Sequence, residues 1–364
     1  MSDNPGALRI GLALGSGSAR GWAHLGVLQA LEERGIRPMA VTGASVGALV
    51  AAAYASDQHG QLEEWVRTLT RVDVWRLLDT TFRGGGVMRG NRLMQAIGEQ
   101  IADRRIEDLP TAFGAVAADL DTGEEIWLRN GSMLAAVRAS SGMPGLFTPM
   151  WHQERWMIDG GVVNPVPVTL CRALGAEYVI AVNLNVPVSS RWASLKRGIR
   201  QTAAAAPEQP AEPAEAGWAL MDKWSELMGG LVDSLRPATG TGPGLFEVMA
   251  GSIHIMQDHI ARSRMAGDPP NLTISPDLGH LQLMDFHRAD EAIRIVRESA
   301  LNRVRELLIG ERASRRPAGQ TRSAGDSRLV REASPRGGRR RSRRAETPGG
   351  PISETRETLT GFPL

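Results

Sequence analysis

The sequence predicts an α/β domain of three layers, with a mostly parallel central sheet covered by helices on both faces. Three observations lead there. Short apolar runs alternate with helix-period stretches through about residue 185, as stacked strand–helix units require. Two strand-to-helix junctions, at 15–21 and 43–47, are built of glycine, serine and alanine plus one arginine and one valine. An Asp-Gly-Gly step at 159–161 ends a third apolar run.

The elements follow in order. Leu8–Leu14 reads as the first strand and runs into Gly15-Ser16-Gly17-Ser18-Ala19-Arg20-Gly21. A helix follows, with Trp22, Leu25, Val27, Leu28 and Leu31 on helical spacing. A glycine-rich turn of this kind exposes backbone N–H groups that hold an anion. A dinucleotide fingerprint would need Gly where Arg20 stands, and a P-loop would need a Lys-Ser/Thr pair that is missing. An oxyanion hole needs only backbone donors beside a nucleophile, and such a donor lowers a barrier by roughly 3–4 kcal/mol.

Pro38–Thr42 reads as a buried strand and Ala48–Tyr54 as a helix of small residues. Between them, Gly43-Ala44-Ser45-Val46-Gly47 is a G-x-S-x-G step, the pattern that lifts a serine hydroxyl off a sheet edge at a helix N-terminus. An ordinary glycine turn is the competing reading. Further on, Arg83–Val87 is a glycine run expected to be a loop near the site mouth. Gly114–Leu120 and Glu125–Leu128 form a hairpin across Asp121-Thr122-Gly123, read as a plain turn in preference to a metal loop. Ser132 caps a helix through Val137-Arg138. A second hairpin, Met150–His152 with Trp156–Ile158, delivers Asp159-Gly160-Gly161. None of the seven histidines stands out as the base of a serine triad, which leaves Asp159 as the candidate base and an Asp-Gly-Gly turn as its bland alternative.

These three segments together resemble the patatin-like phospholipase family, which carries a glycine-rich Arg/Lys-Gly loop, G-x-S-x-G and D-G-A/G in that order. Ala139–Phe147 and Asn164–Pro167 are similar to the segments that flank the family's aspartate. Residues 8–185 carry the resemblance, and 243–300 resemble the helical continuation in bacterial relatives of neuropathy target esterase. The resemblance implies a three-layer patatin-like fold and a Ser–Asp dyad, with Ser45 as nucleophile and Asp159 as proton acceptor. The N–H groups around Gly17, Ser18 and Ala19 would hold the oxyanion. Gly15 and Gly21 bound that loop, Gly43 and Gly47 frame the elbow, and Gly160 and Gly161 complete the aspartate motif. Arg20 would either add positive potential or pin the loop through an ion pair. Many members have three glycines where this chain has Ser16-Gly17-Ser18, so Ser18 must tolerate the backbone angle the loop demands. The implied substrate is a phospholipid, lysophospholipid or related fatty-acyl ester, and neither cofactor nor metal is called for.

Beyond residue 188 the pattern changes. Residues 189–243 read as an insert, with an Ala/Pro/Glu-rich mobile segment at 202–215. An apolar stripe runs from Trp218 to Leu235, either a lid that meets lipid or a helix packed on the core. Helices are expected around Ile253–Ile260 and from Asp290 to Leu308. The acyl hydrolase domain is therefore placed at 1–310 and a disordered Arg/Ser/Pro/Gly-rich tail at 311–364.

Composition agrees with this assignment. Hydrophobic residues make up 42% of the 364, enough for a sizeable core. The single cysteine, Cys171, excludes an internal disulfide framework. With no signal peptide and no apolar run approaching the ~20 residues of a bilayer span, a cytoplasmic protein with at most peripheral membrane contact is expected. Between 312 and 344 twelve arginines face Asp326 and Glu332, a formal +10 in a chain whose total is +2, so the remainder is net acidic. The basic character belongs to the tail, without the interleaved aromatics or motif of a specific nucleic-acid binder. The reading from another class is a regulatory or scaffolding protein that keeps the fold to bind a partner. Retention of both Ser45 and Asp159 argues against it. Nothing in the sequence fixes the oligomeric state.

Overall fold

A computed structural model describes residues 8–77, 79, 86–185 and 245–314. Its strands are β1 Ile10–Leu14, β2 Ala40–Ala44, β3 Gly86–Met88, β4 Ala112–Asp119, β5 Glu125–Leu128, β6 Gly145–Phe147, β7 Met150–His152, β8 Arg155–Asp159, β9 Tyr178–Val182 and β10 Leu272–Ile274. Its α-helices are α1 Ala23–Glu33, α2 Val46–Ala55, α3 His59–Thr68, α4 Arg71–Leu77, α5 Asn91–Gln100, α6 Met133–Ser140, α7 Val168–Ala173, α8 Leu245–Gly267 and α9 Ala289–Ser314. The 218–235 stripe, the Ala/Pro/Glu segment and the arginine-rich tail past residue 314 lie outside the described residues.

The main sheet has the order β10-β9-β1-β2-β4-β8-β7, with β5 also on β4. β10, β9, β1, β2 and β4 run parallel, while β5, β8 and β7 join through antiparallel pairings. The strands at its centre are buried on both faces and read as apolar runs without polar alternation, as in Leu12-Ala13-Leu14 and Val179–Val182.

One pairing sets the site. Ala115 and Val116 pair with both β5 and β2, while Ala117 and Ala118 pair with both β5 and β8. β2 and β8 therefore share one edge of β4. Val116 meets Ala44, the last residue of β2, and the next residue, Ala117, meets Asp159, the last residue of β8. β8 takes up the edge of β4 where β2 leaves it, and Ser45 and Asp159 stand at that junction.

The helices cover this sheet for legible reasons. α2 is made of small residues, and Ala48, Ala51, Ala52 and Ala53 are fully buried, which lets it lie close to β2 and β4. α9 packs along α1, with Ala292, Ile293 and Val296 buried and Arg297 bonded to Glu33 at 2.6 Å. Ser132 caps α6, its hydroxyl accepting the Ala135 N–H at 3.0 Å. The Asp121-Thr122-Gly123 turn is closed by Asp119, whose Oδ1 accepts the Asp121 and Thr122 N–H groups while Arg155 bonds its other oxygen.

Several expectations need correction. β2 is displaced two residues toward the elbow, because Ala40–Ala44 forms a register with β1 and β4 that Pro38 is unable to join as a donor. Gly86 and Val87, expected in a loop, form β3 and pair in parallel with β6 as a separate two-stranded sheet. The segment after residue 243 adds β10 to the sheet edge as well as helices. The last helix runs to Ser314, past Leu308 and the expected start of the tail. Among the described residues no helix is long and apolar enough to cross a membrane.

Candidate active site

Ser45 sits between β2 and α2 at φ 58°, ψ −128°, a conformation that costs a non-glycine residue about 1–3 kcal/mol. Its buried N–H donates to the Ser140 hydroxyl of α6 at 2.9 Å, and its carbonyl accepts from Ala48 and Leu49. The flanking glycines permit this turn because nothing larger fits. A Cβ on Gly43 would stand 2.3 Å from the Gly47 carbonyl carbon, and one on Gly47 would stand 2.3 Å from the Leu14 oxygen.

Asp159 is buried at the end of β8. Its Oδ1 accepts the Gly161 N–H at 2.7 Å. Burial pushes its pKa up to about 6, against the opposing pull of the Ser45 hydroxyl and the Gly161 N–H. The serine is therefore close enough to favour the carboxylate, yet Oδ2 accepts no hydrogen bond of regular geometry. The two side chains are adjacent, with Oδ2 left without a donor.

The 15–21 loop is held from several sides. The Gly15 N–H donates to Val182 at 2.9 Å and the Ser16 N–H to Pro165 at 2.8 Å, which ties the loop to the segment after the aspartate. Ser18 does adopt a left-handed conformation, φ 50°, and its hydroxyl anchors it by donating to the Leu283 carbonyl at 2.6 Å. The Ala19 N–H, expected among the oxyanion donors, is instead turned to that same carbonyl at 3.2 Å. The N–H groups of Gly17 and Ser18 keep no acceptor among the described residues. Arg20 is buried, and its guanidinium reaches the Gly17 carbonyl and His254 Nδ1, each at 3.4 Å, so it braces the loop from within.

His24 also belongs to this bracing. It is fully buried, its Nε2 lies 2.7 Å from the Gly15 carbonyl, and burial pushes its pKa down to about 4. A neutral ring donating through Nε2 fits that contact. The other contributors that sequence reasoning missed are Ser140 and α8, whose Gln257 Nε2 would lie 2.5 Å from a Cβ on Gly161. Ser140 falls in the 139–147 segment already singled out, but no local pattern marks its hydroxyl as the partner of an N–H 95 residues away.

An apolar cavity opens from Ser45 and Ser18. Val46 and Leu49 of α2, Trp65 of α3 and Leu69 just after it, Leu93, Met94 and Ile97 of α5, and Phe147 of β6 form much of its wall. Neither a histidine nor a carboxylate is found among the described residues lining it. Among the described residues no cluster of three metal-ligating side chains occurs.

Comparison with known proteins agrees with this architecture. The patatin-like phospholipase family model matches residues 12–172, a span that includes both Ser45 and Asp159. An uncharacterised NTE family protein of Mycobacterium bovis is 33% identical over 326 residues, covering 80% of this chain and 90% of that protein. Patatin-like phospholipase domain-containing protein 6 of Homo sapiens is 32% identical over 182 residues, covering 48% of this chain and 13% of its own length. The chain belongs to the patatin-like phospholipase family, whose members are lipid hydrolases.

Proposed function

We propose that the protein is a serine acyl hydrolase that cleaves ester bonds of phospholipids, lysophospholipids or related lipids through a Ser45–Asp159 dyad. Asp159 accepts the Ser45 proton as the hydroxyl oxygen attacks the acyl carbonyl. The N–H groups of Gly17 and Ser18 receive the oxyanion. As the tetrahedral intermediate collapses, the proton passes to the departing alcohol. Asp159 then deprotonates the water that releases the fatty acid and regenerates the serine.

The observation that carries this reading is the junction on β4. Consecutive residues, Val116 and Ala117, seat the strand ends that carry Ser45 and Asp159, and Asp159 Oδ2 is buried there without a donor. A carboxyl pushed up to about 6 is a better base than one at its ordinary value, yet is still ionised at neutral pH. The cavity wall offers the acyl chain an apolar surface that begins at the nucleophile.

The test is release of fatty acid from single-chain phospholipid and neutral lipid esters by the wild type and Ser45→Ala. Release by the wild type alone supports the proposal. Release that survives the substitution, or a wild type inert on every ester, rejects it.

A further inference from the structure

The short helix α4 faces two ways. At about 3.6 residues per turn, Val74 and Leu77 point nearly opposite to Val72 and Trp75. The first pair lines the apolar cavity, and Val74 is buried. The second pair lies outside: Trp75 is 74% exposed and Val72 56%. One helix, about 10 Å thick, is thus all that separates the cavity from the exterior here. On the same helical wheel Arg71 falls beside Trp75 and Arg76 beside Val72, so two arginines bracket the exposed apolar pair. Asp73 lies 3.6 Å from Arg76 and turns its other oxygen to the N–H and hydroxyl of Thr70. Arg71 donates to the Nε2 of His287 at 3.1 Å, next to the cavity-lining Phe286. With two arginines and one aspartate, α4 carries a surplus of positive charge on its outward side.

Packing explains the inner face of α4 and leaves the outer one unexplained. We propose that the Val72–Trp75 face of α4 is a docking surface for a phospholipid bilayer with anionic head groups. This goes beyond the acyl hydrolase reading and rests on it only for the role of the cavity. Two observations favour a lipid surface over a protein partner. Val72 and Trp75 present far less area than the roughly 800 Å² a protein partner covers on one side, whereas a fluid bilayer needs no matching shape. The apolar face is also the outer wall of the cavity that begins at Ser45, so docking brings that cavity within one helix of the bilayer. The chemistry of the face agrees. A tryptophan ring settles at head-group depth, and flanking arginines reach the lipid phosphates around it. Anionic head groups are the complement of that cationic rim.

The test reads α4 itself, in the full chain carrying Ser45→Ala so that no ester is turned over. Val72→Cys is labelled with a nitrobenzoxadiazole dye, the native Cys171 being fully buried. Vesicles of phosphatidylcholine and phosphatidylglycerol in equal parts are then added. The expected result is a blue shift of the dye as it enters the bilayer. The vesicle concentration at half-shift should rise about tenfold or more in Trp75→Glu. It should rise roughly fivefold in Arg76→Glu and for vesicles of phosphatidylcholine alone. Protein that sediments with the vesicles while the dye is unshifted overturns the proposal, because another part of the chain is then the anchor. An equal half-shift in Trp75→Glu overturns it as well. A shift that grows with protein concentration in the absence of lipid assigns the face to a second copy and overturns it too. Equal half-shifts with both vesicle compositions contradict the anionic assignment. If the dye shifts as expected while the parent with intact Ser45 hydrolyses no ester, the docking surface stands and the hydrolase reading falls.

Discussion

The backbone N–H of Ser45 donates to the hydroxyl of Ser140 at 2.9 Å, wholly inside the protein. The bond links the elbow to the C-terminal end of α6 and holds Ser45 in a positive-φ conformation that its own sequence disfavours. Ser140→Ala leaves that N–H buried without a partner, at a cost of about 1–3 kcal/mol. The variant should melt at a lower temperature and label more slowly with a serine-directed phosphonate. An unchanged melting curve would show that the bond is not needed to hold the turn.

The dyad predicts a specific pattern of losses. Ser45→Ala and Asp159→Asn should each lower ester hydrolysis by about a thousandfold or more. Alanine at His59, His152, His254, His259, His280 or His287 should leave substantial activity. His24→Ala differs in kind: it removes the ring that bonds the Gly15 carbonyl, so it should lower stability while retaining measurable turnover. A histidine variant as inactive as Ser45→Ala in a protein of normal melting temperature would establish a triad.

Protonation of Asp159 gives two opposite pH trends. Activity requires the carboxylate, so hydrolysis should be level above about 6 and fall roughly tenfold per pH unit below it. Stability runs the other way. The folded pKa, about 6, exceeds the ordinary 3.8, so the folded protein holds the proton more tightly. The contribution is complete below the lower value and is lost as pH rises through the upper one. Ionised Asp159 thus costs on the order of 3 kcal/mol at pH 8. Asp159→Asn should melt above the wild type at pH 8, with the gap closing toward pH 4. A gap that widened on acidification would contradict the assigned direction.

Ser18 separates backbone strain from anchoring. Ser18→Ala keeps the unfavourable φ and loses the bond to Leu283, whereas Ser18→Gly loses the bond and relieves the strain. The glycine variant should retain more activity and a higher melting temperature than the alanine variant. The reverse order would mean that the side chain serves the site by more than its anchor.

How much was legible in the sequence depended on whether the cause was local. The elbow was readable because the glycine–serine–glycine spacing is itself local and Gly43 closes on Gly47 and Ala48, although Gly47 closes on the distant Leu14. The Ser132 cap was readable because its acceptor role spans three residues. The mostly parallel sheet followed from short apolar runs alternating with helix-period stretches. Residues 272–274 lacked that signal: Leu272-Thr273-Ile274 is short, and it is a strand because β9 offers it an edge. The same holds for β3, whose glycine-rich start reads as a loop until β6 is beside it. Within the site, the Ala19 N–H was misassigned because its acceptor, Leu283, lies 264 residues further along the chain. The bracing by His24 was hidden for a related reason, since a buried polar side chain and an exposed one look alike in a sequence, whereas pinning of the loop was one of the two roles expected of Arg20.

The identity of the reactive serine tests the central claim most directly. The full chain is treated with a fluorophosphonate at pH 8 and digested, and the modified peptide is mapped, with Asp159→Asn run in parallel. The dyad account predicts one modified residue, Ser45, with labelling sharply slowed in Asp159→Asn. Modification of a different serine, or equal labelling of Ser45 with and without the aspartate, would contradict it.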